Sequence, residues 1–358
     1  MFMTKPKIFL IICSILMSSS FANTQTTQTP TPPVKHRRTL IIGLDGATGN
    51  QFHHRGFDQK HAPNMKNMLL GGVFTVCEHD EDARCARTHS GPRFDSSYRW
   101  LTGPGWASVI TGMDNKHHGV KTNEDADLRA FSASSKQYPS LFMRAKSAGL
   151  KTAAGGVGAF ISSSGKKEIE YGVVDYECGF AKTGSKVDVN SVSSCNLDHR
   201  KSFISGDDNR DNQLTAWLLN RISDSSTDVI MGVFDMIDGA GHSHGFDNND
   251  KYLEAISAAD VQVGSILNVI KERAALNNEE WLVVLTSDHG GHRFLAWGKH
   301  GKKKDQDEVI PFAVALYGSE QKLAALVYPV THMDVHPTVM HWHNIAPTRV
   351  DGRVQGLQ

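Results

Sequence analysis

Arg37-Arg38-Thr39-Leu40-Ile41-Ile42-Gly43-Leu44-Asp45-Gly46 is an apolar run that ends in a carboxylate and a glycine. A strand with one wet face alternates polar and apolar residues, so an unbroken run of this kind reads as a strand buried on both faces. Two more stretches share the pattern. Asp228-Val229-Ile230-Met231-Gly232-Val233-Phe234-Asp235-Met236-Ile237-Asp238 and Trp281-Leu282-Val283-Val284-Leu285-Thr286-Ser287-Asp288-His289-Gly290 are also apolar and also end in acid. Helical periodicity or helix punctuation marks residues 62–70, 138–149, 212–222, 251–272 and 332–343, and shorter apolar runs at 73–76, 151–156 and 310–317 read as strands. This alternation predicts a three-layer α/β/α sandwich around a mostly parallel, doubly wound sheet.

Upstream, Lys5 and Lys7 precede an apolar stretch at 8–17 that is too short to span a bilayer, and Ser20-Phe21-Ala22 offers a small-x-small cleavage site. Residues 1–22 therefore read as a signal peptide and the product as exported, periplasmic or secreted, with no stable membrane anchor. Residues 23–37 read as a disordered Thr/Gln/Pro linker, and residues 38–358 as the folded domain. Lys plus Arg and Asp plus Glu each number 38, so no global field favours a nucleic-acid polymer; anionic substrates would need a local site.

Cys77, Cys85, Cys178 and Cys195 lie beyond the leader. An even number in an exported chain favours disulfides, and sequence neighbours pair most simply, Cys77 with Cys85 and Cys178 with Cys195, among three connectivities. The rival, a zinc–thiolate site, lacks any short C-x-x-C spacing. Residues 165–210 are rich in Ser, Gly, Asp and Lys and read as an inserted, disulfide-stapled surface region.

The acids Asp45, Asp238 and Asp288 close the three buried runs. One alone would be a cap or turn former, but in open parallel sheets the ligand crevice lies outside the carboxyl ends of the strands. His289 adjoins Asp288. His242 follows Asp238 by four residues, across a glycine-rich turn that can bring both toward one cation, and His300 lies in a glycine-flanked loop. Oxygen and imidazole donors without thiolate suit zinc at a catalytic site with an open position. The chain has 18 histidines, so His53, His54, His117, His118, His332, His341 and His343 are read as surface or packing residues. His244 and His292 flank the candidate ligands with no role assigned.

One hydroxyl joins this set. In Leu101-Thr102-Gly103-Pro104-Gly105-Trp106-Ala107-Ser108-Val109-Ile110-Thr111-Gly112, Pro104 suits a first helical turn and Gly112 a helix end, so Thr102 by itself reads as an N-cap. An anion formed there would face backbone N–H groups and the positive end of the helix dipole.

The motifs Leu44-Asp45-Gly46, the Thr102 stretch, His118-Gly119-Val120, Asp238-Gly239-Ala240-Gly241-His242, Ser287-Asp288-His289-Gly290 and Lys299-His300-Gly301 occur in one order over nearly the whole mature chain. In this the sequence resembles the alkaline phosphatase superfamily, and within it the type I phosphodiesterase/nucleotide pyrophosphatase group. The resemblance implies a metal-dependent hydrolase of phosphoric diesters with two zinc ions per chain. Asp238, His242 and His300 would hold the first ion; Asp45, Asp288, His289 and the Thr102 oxygen would hold the second. It further implies Thr102 as nucleophile through a phospho-threonine intermediate, Asn123 as a donor to a non-bridging phosphoryl oxygen, and a small-molecule phosphate ester as substrate.

The chain departs from its relatives at Gly103-Pro104-Gly105-Trp106, where the nucleotide enzymes carry Phe-Pro-Asn. Sulfatases have Cys or Ser in place of Thr102 and Arg in place of Trp106, and alkaline phosphatases proper use Ser with an Arg clamp. A phosphomonoesterase or a sulfatase-like hydrolase of the same superfamily is thus the alternative, and a zinc-binding, non-catalytic recognition module the second.

Overall fold

The first of the buried runs is strand β1, His36–Leu44, and it takes a central place in an eight-stranded sheet of order β2-β12-β8-β1-β7-β4-β5-β6. In this computed structural model the described residues run from Lys35 to Gln358, apart from 50–59, 70, 76, 78, 80–81, 89–99, 124–136, 157–173, 181–193, 198–209, 302–304 and 347–348. The expected signal peptide and most of the linker lie outside the described residues. The linker's expected end at 37 overlaps β1, because His36 bonds Asp228 at 2.7 Å and the Arg37 guanidinium lies 4.8 Å from the Trp342 ring centre.

In chain order the remaining strands are β2 (Gly72–Phe74), β3 (Ala86–Arg87), β4 (Thr152–Gly156), β5 (Tyr176–Phe180), β6 (Ser194–Leu197), β7 (Val229–Phe234), β8 (Glu279–Thr286), β9 (His292–Phe294), β10 (Trp297–Lys299), β11 (Val309–Ile310), β12 (Phe312–Tyr317) and β13 (Val330–Thr331). The helices are α1 (Pro63–Leu69), α2 (Thr102–Thr111), α3 (Asn115–His118), α4 (Leu141–Ser147), α5 (Arg210–Ser223), α6 (Met236–His244), α7 (Asp250–Leu276), α8 (Asp305–Glu308) and α9 (Val335–Trp342).

Strands β8, β1, β7, β4, β5 and β6 run parallel, and β12 joins β8 antiparallel. Period-two alternation sends successive side chains of β1 to opposite faces. Leu40, Ile42 and Leu44 pack with Trp217, Ile256 and Val263 of α5 and α7 on one side, while Ile41 packs with Trp106, Ile110 and Val339 of α2 and α9 on the other. All of these are essentially inaccessible, and burying each such side chain is worth about 1.5–3 kcal/mol. The expected three-layer sandwich is therefore present, and the parallel strands bring the ends that follow β1, β7 and β8 to one edge.

Local differences have physical causes. Pro311 divides the expected strand at 310–317 into β11 and β12, since it cannot donate to a ladder. The expected surface insertion at 165–210 contributes β5 and β6 to the main sheet. Cys178 stands opposite Cys195 in their register and is disulfide-bonded. Cys77 and Cys85 form one expected disulfide, which leaves neither as a thiolate ligand.

Candidate metal centre

Asp45 directly follows β1 and Asp288 lies two residues beyond β8. Both are buried. Asp238 differs from expectation: it sits on helix α6, where the four-residue spacing to His242 puts both side chains on one helical face. The glycines suggested a turn. The helix forms because Asp211, on α5, accepts the N–H groups of Asp235 and Met236 at 3.1 and 3.0 Å, a cap supplied from far along the chain.

Two donor clusters result. Asp238, His242 and His300 form one; Asp45, Asp288 and His289 form the other. In the first, His242 Nε2 lies 3.3 Å from Asp238 Oδ2 and 3.0 Å from His300 Nε2, and His300 Nε2 lies 3.8 Å from Asp238 Oδ1. In the second, His289 Nε2 lies 3.5 Å from Asp45 Oδ1 and 3.4 Å from Asp288 Oδ2. The His289 and His300 rings stack at 3.7 Å between centres, so the clusters adjoin.

The hydrogen bonds fix what each atom presents. His289 Nδ1 faces the Gly290 carbonyl at 2.8 Å and His300 Nδ1 faces the Trp100 carbonyl at 3.0 Å. A carbonyl only accepts, so each Nδ1 carries the proton and each Nε2 turns a lone pair to the clusters. Asp45 Oδ2 accepts from Trp106 Nε1 at 3.1 Å, and Asp288 Oδ1 accepts from the Gly46 N–H at 3.3 Å. Their other oxygens, together with Asp238 Oδ1, are buried with no hydrogen-bond donor among the described residues.

Lone pairs and carboxylate oxygens that face one another without donors are costly unless a cation lies between them. Burial first, then the charges of Asp288 and Asp238, push the Asp45 carboxyl well above its usual range. Burial and Asp238 do the same to Asp288. Burial likewise holds His289 and His300 below the ordinary imidazole value. Six converging oxygen and nitrogen donors with orphaned buried oxygens are chemistry that fits a pair of divalent cations.

The cap of α2 is Leu101, whose side chain makes no capping bond, and Thr102 is the first residue of the helix. Its hydroxyl is consequently not spent on the backbone and lies 3.5 Å from His289 Nε2. The helix end offers an anion less than expected. The Gly103 N–H donates to Asn123 Oδ1 at 2.7 Å, Pro104 has no N–H, and the Gly105 N–H donates to the Leu101 carbonyl at 3.0 Å. Because Asn123 accepts through its oxygen, its Nδ2 donors remain for another partner, and the side chain is exposed at the site's edge.

Two glycines are required by close approach. A Cβ on Gly105 would stand 2.6 Å from the Asp288 Cβ and carbonyl oxygen. Gly46 has φ +68° and a Cβ there would stand 2.7 Å from Asp238 Oδ1. Residues Gly103, Pro104, Gly105 and Trp106 are all buried, so this stretch supports Asp45 and Asp288 rather than facing solvent. The part played by Trp106, and by the carbonyl of Trp100, has no signal in local sequence, since each acts across a long loop.

The other histidines divide as follows. His118 is buried, with Nε2 on Ser108 Oγ at 2.9 Å and Nδ1 accepting the Val120 N–H. His343 Nε2 bonds Thr39 Oγ1 at 2.9 Å. His292 Nδ1 bonds Asp307 at 2.6 Å, and His244 is exposed, its carbonyl accepting from Arg293. His53 and His54 lie outside the described residues.

The family match puts this doubly wound sheet, with acids and histidines at the carboxyl ends of its strands, in the alkaline phosphatase superfamily. Residues 39–301 match the type I phosphodiesterase/nucleotide pyrophosphatase family, and the chain belongs to that family. No curated protein matches the sequence. Among solved structures, murine ectonucleotide pyrophosphatase/phosphodiesterase 5 is 12% identical, with a TM-score of 0.57 over 88% of this chain and 97% of that one. A second structure of the mouse protein, described as inactive through a threonine-to-alanine change and in complex with AMP, is 11% identical with the same score and coverage. The phosphonate monoester hydrolase of Silicibacter pomeroyi is 14% identical, with a TM-score of 0.56 over 89% of this chain and 76% of that one. At such identities the likeness is one of fold.

Proposed function

We propose that this chain is an exported, zinc-dependent phosphodiesterase that acts on small-molecule phosphate esters through a phospho-threonine intermediate. The observation that supports it most is the unspent Thr102 hydroxyl beside two converging donor clusters. Asp238, His242 and His300 would hold one zinc ion, and Asp45, Asp288 and His289, with the Thr102 oxygen, the other. Bound there, the ions would supply Lewis acidity that lowers the pKa of the threonine hydroxyl and offsets charge on the phosphoryl and leaving oxygens.

The chain's own residues do the rest. Thr102 Oγ1 attacks phosphorus, the bond from phosphorus to the leaving oxygen breaks, and the phosphoryl group, still carrying its second ester, remains bound to Thr102. Asn123, held by its oxygen on the Gly103 N–H, donates through Nδ2 to a non-bridging oxygen. Water then cleaves the phospho-threonine in line and restores the hydroxyl, so two inversions give net retention at phosphorus. The mouse relative is inactive in a threonine-to-alanine form, the behaviour this reading expects of Thr102 here.

Arg210, a buried arginine whose charge acts on Asp45 and Asp238, is engaged by Asp235, and among the described residues this favours a diester over a phosphomonoester dianion that would need a free clamp. Parallel rates on bis-p-nitrophenyl phosphate, p-nitrophenyl phosphate and p-nitrophenyl sulfate, with zinc content measured on the same sample, test the reading. It expects two zinc ions per chain and the fastest turnover on the diester. Faster turnover on the monoester or sulfate moves the chain to the corresponding alternative, and zinc without turnover on any ester makes it a binding module.

A further inference from the structure

Beside His300, the antiparallel strands β9 and β10 form a hairpin whose exposed end is Phe294-Leu295-Ala296-Trp297. Phe294, Leu295 and Trp297 are 40, 75 and 45% exposed, and they are three of the seven large apolar side chains that stand open to solvent among the described residues. Of the others, Val261 and Leu276 stand singly on α7 and Val327 adjoins Tyr328 in a loop, whereas these three share one hairpin tip.

The backbone sharpens the point. A two-residue hairpin loop favours Asn-Gly, because its twist demands positive φ. Here Leu295 occupies that conformation, with φ +58°. A branched apolar side chain is thus held in the left-handed region with most of its surface in water. Such a local conflict is a mark of function.

The charge around the tip has one sign in excess. Lys299 Nζ lies 3.9 Å from the centre of the Phe294 ring and has no carboxylate partner among the described residues. Arg293, on the same strand as Phe294, reaches Asp247 at 3.4 Å while remaining half exposed. The apolar and basic side chains of the tip all fall within residues 293–299. The hairpin base is tied to the metal centre: a Cβ on Gly298 would meet the carbonyl of Gly241, the residue before His242, at 2.2 Å.

We propose that this hairpin is a docking element for an anionic phospholipid surface. Trp and Phe prefer the boundary between headgroups and acyl chains, an aliphatic tip residue enters the apolar layer, and flanking Lys and Arg meet the phosphates. A nucleic-acid strand would use the aromatic faces but has no use for Leu295, the most exposed of the three. The chain's balanced total charge does not oppose this, since surface attraction is local on the scale of a Debye length. Docking there would be reversible and peripheral, and it would turn the crevice beside His300 toward the headgroups.

The test is co-sedimentation of the full chain with phosphatidylcholine vesicles, with and without phosphatidylglycerol, for the wild type, Leu295→Asn and Trp297→Ser. No turnover is needed, so the outcome is separate from that of the diesterase reading. The wild type is expected to partition onto the phosphatidylglycerol vesicles, less so at high salt, and each substitution to weaken partitioning by about tenfold or more. Leu295→Asn should leave the thermal midpoint equal or higher, because Asn suits positive φ, which separates docking from folding. Absence of wild-type binding, or binding that both variants retain, overturns the proposal. So does retention of a single-stranded oligonucleotide through Trp297 with no vesicle binding, which would assign the hairpin to nucleic acid.

Discussion

The Nε2 atoms of His242 and His300 lie 3.0 Å apart, and with the Nδ1 proton of His300 on the Trp100 carbonyl the neutral ring, favoured by burial, turns the Nε2 lone pair toward His242. Two imidazole nitrogens so close, with Asp238 Oδ1 buried and undonated beside them, form a stable arrangement around a cation. Metal removal is therefore expected to lower stability as well as activity. Dialysis against a chelator should drop the thermal midpoint by on the order of 5 °C or more, and added zinc should restore it. A midpoint indifferent to both would argue against a resident metal.

Asn123 is expected to act through Nδ2 rather than through its oxygen. Asn123→Asp keeps an acceptor for the Gly103 N–H yet removes the donor, whereas Asn123→Ala removes both. Steady-state kinetics on a soluble diester should show both variants reduced by roughly 10²-fold or more in kcat/KM, with Asp no better than Ala. An active Asn123→Asp enzyme would limit the residue to holding the start of α2.

Substituting Gly105 probes the contact between α2 and the strand end behind Asp288. A methyl group there meets the Asp288 Cβ and carbonyl at 2.6 Å, and backbone cannot yield as a flexible side chain can. Gly105→Ala should cost about 1–3 kcal/mol in urea unfolding and lower zinc occupancy in the same sample. Unchanged metal content would uncouple this contact from the centre.

Acid should weaken the fold through the buried His336 and the part-buried His343. Burial pushes His336 down to about 4 and His343 down to about 3, in each case from an ordinary value of 6.5. Between those values the unfolded chain binds more protons than the folded one, so stability rises with pH through this window. The stability is full above about pH 6.5 and is lost as pH falls toward 4, by about 3 kcal/mol for His336 alone. Urea midpoints measured from pH 7 to 4 should fall less steeply in His336→Gln than in the wild type, and parallel slopes would assign the acid sensitivity elsewhere.

The parts of the site legible in sequence are those that continuous local patterns announce. Asp45 and Asp288 close unbroken apolar runs, and a parallel sheet carries such ends to one edge. Asp238 was legible as a donor but not in its conformation, because the cap of its helix comes from Asp211, more than twenty residues upstream. Thr102 read as a cap, whereas the extended Leu101 takes that place and leaves the hydroxyl unspent. The roles of Trp100 and Trp106 were hidden for the same reason, since a carbonyl or an indole N–H that acts across the fold leaves no trace in spacing.

The central claim is that Thr102 forms the bond to phosphorus. Its most direct test is acid quenching of the zinc-loaded enzyme during turnover of a phosphodiester, followed by mass mapping of the peptide that contains Thr102. The account predicts on Thr102 in the wild type a phosphoryl group that retains the second ester of the substrate, and no adduct and no turnover in Thr102→Ala with both zinc ions still bound. Turnover by Thr102→Ala, or an adduct on another residue, would contradict it.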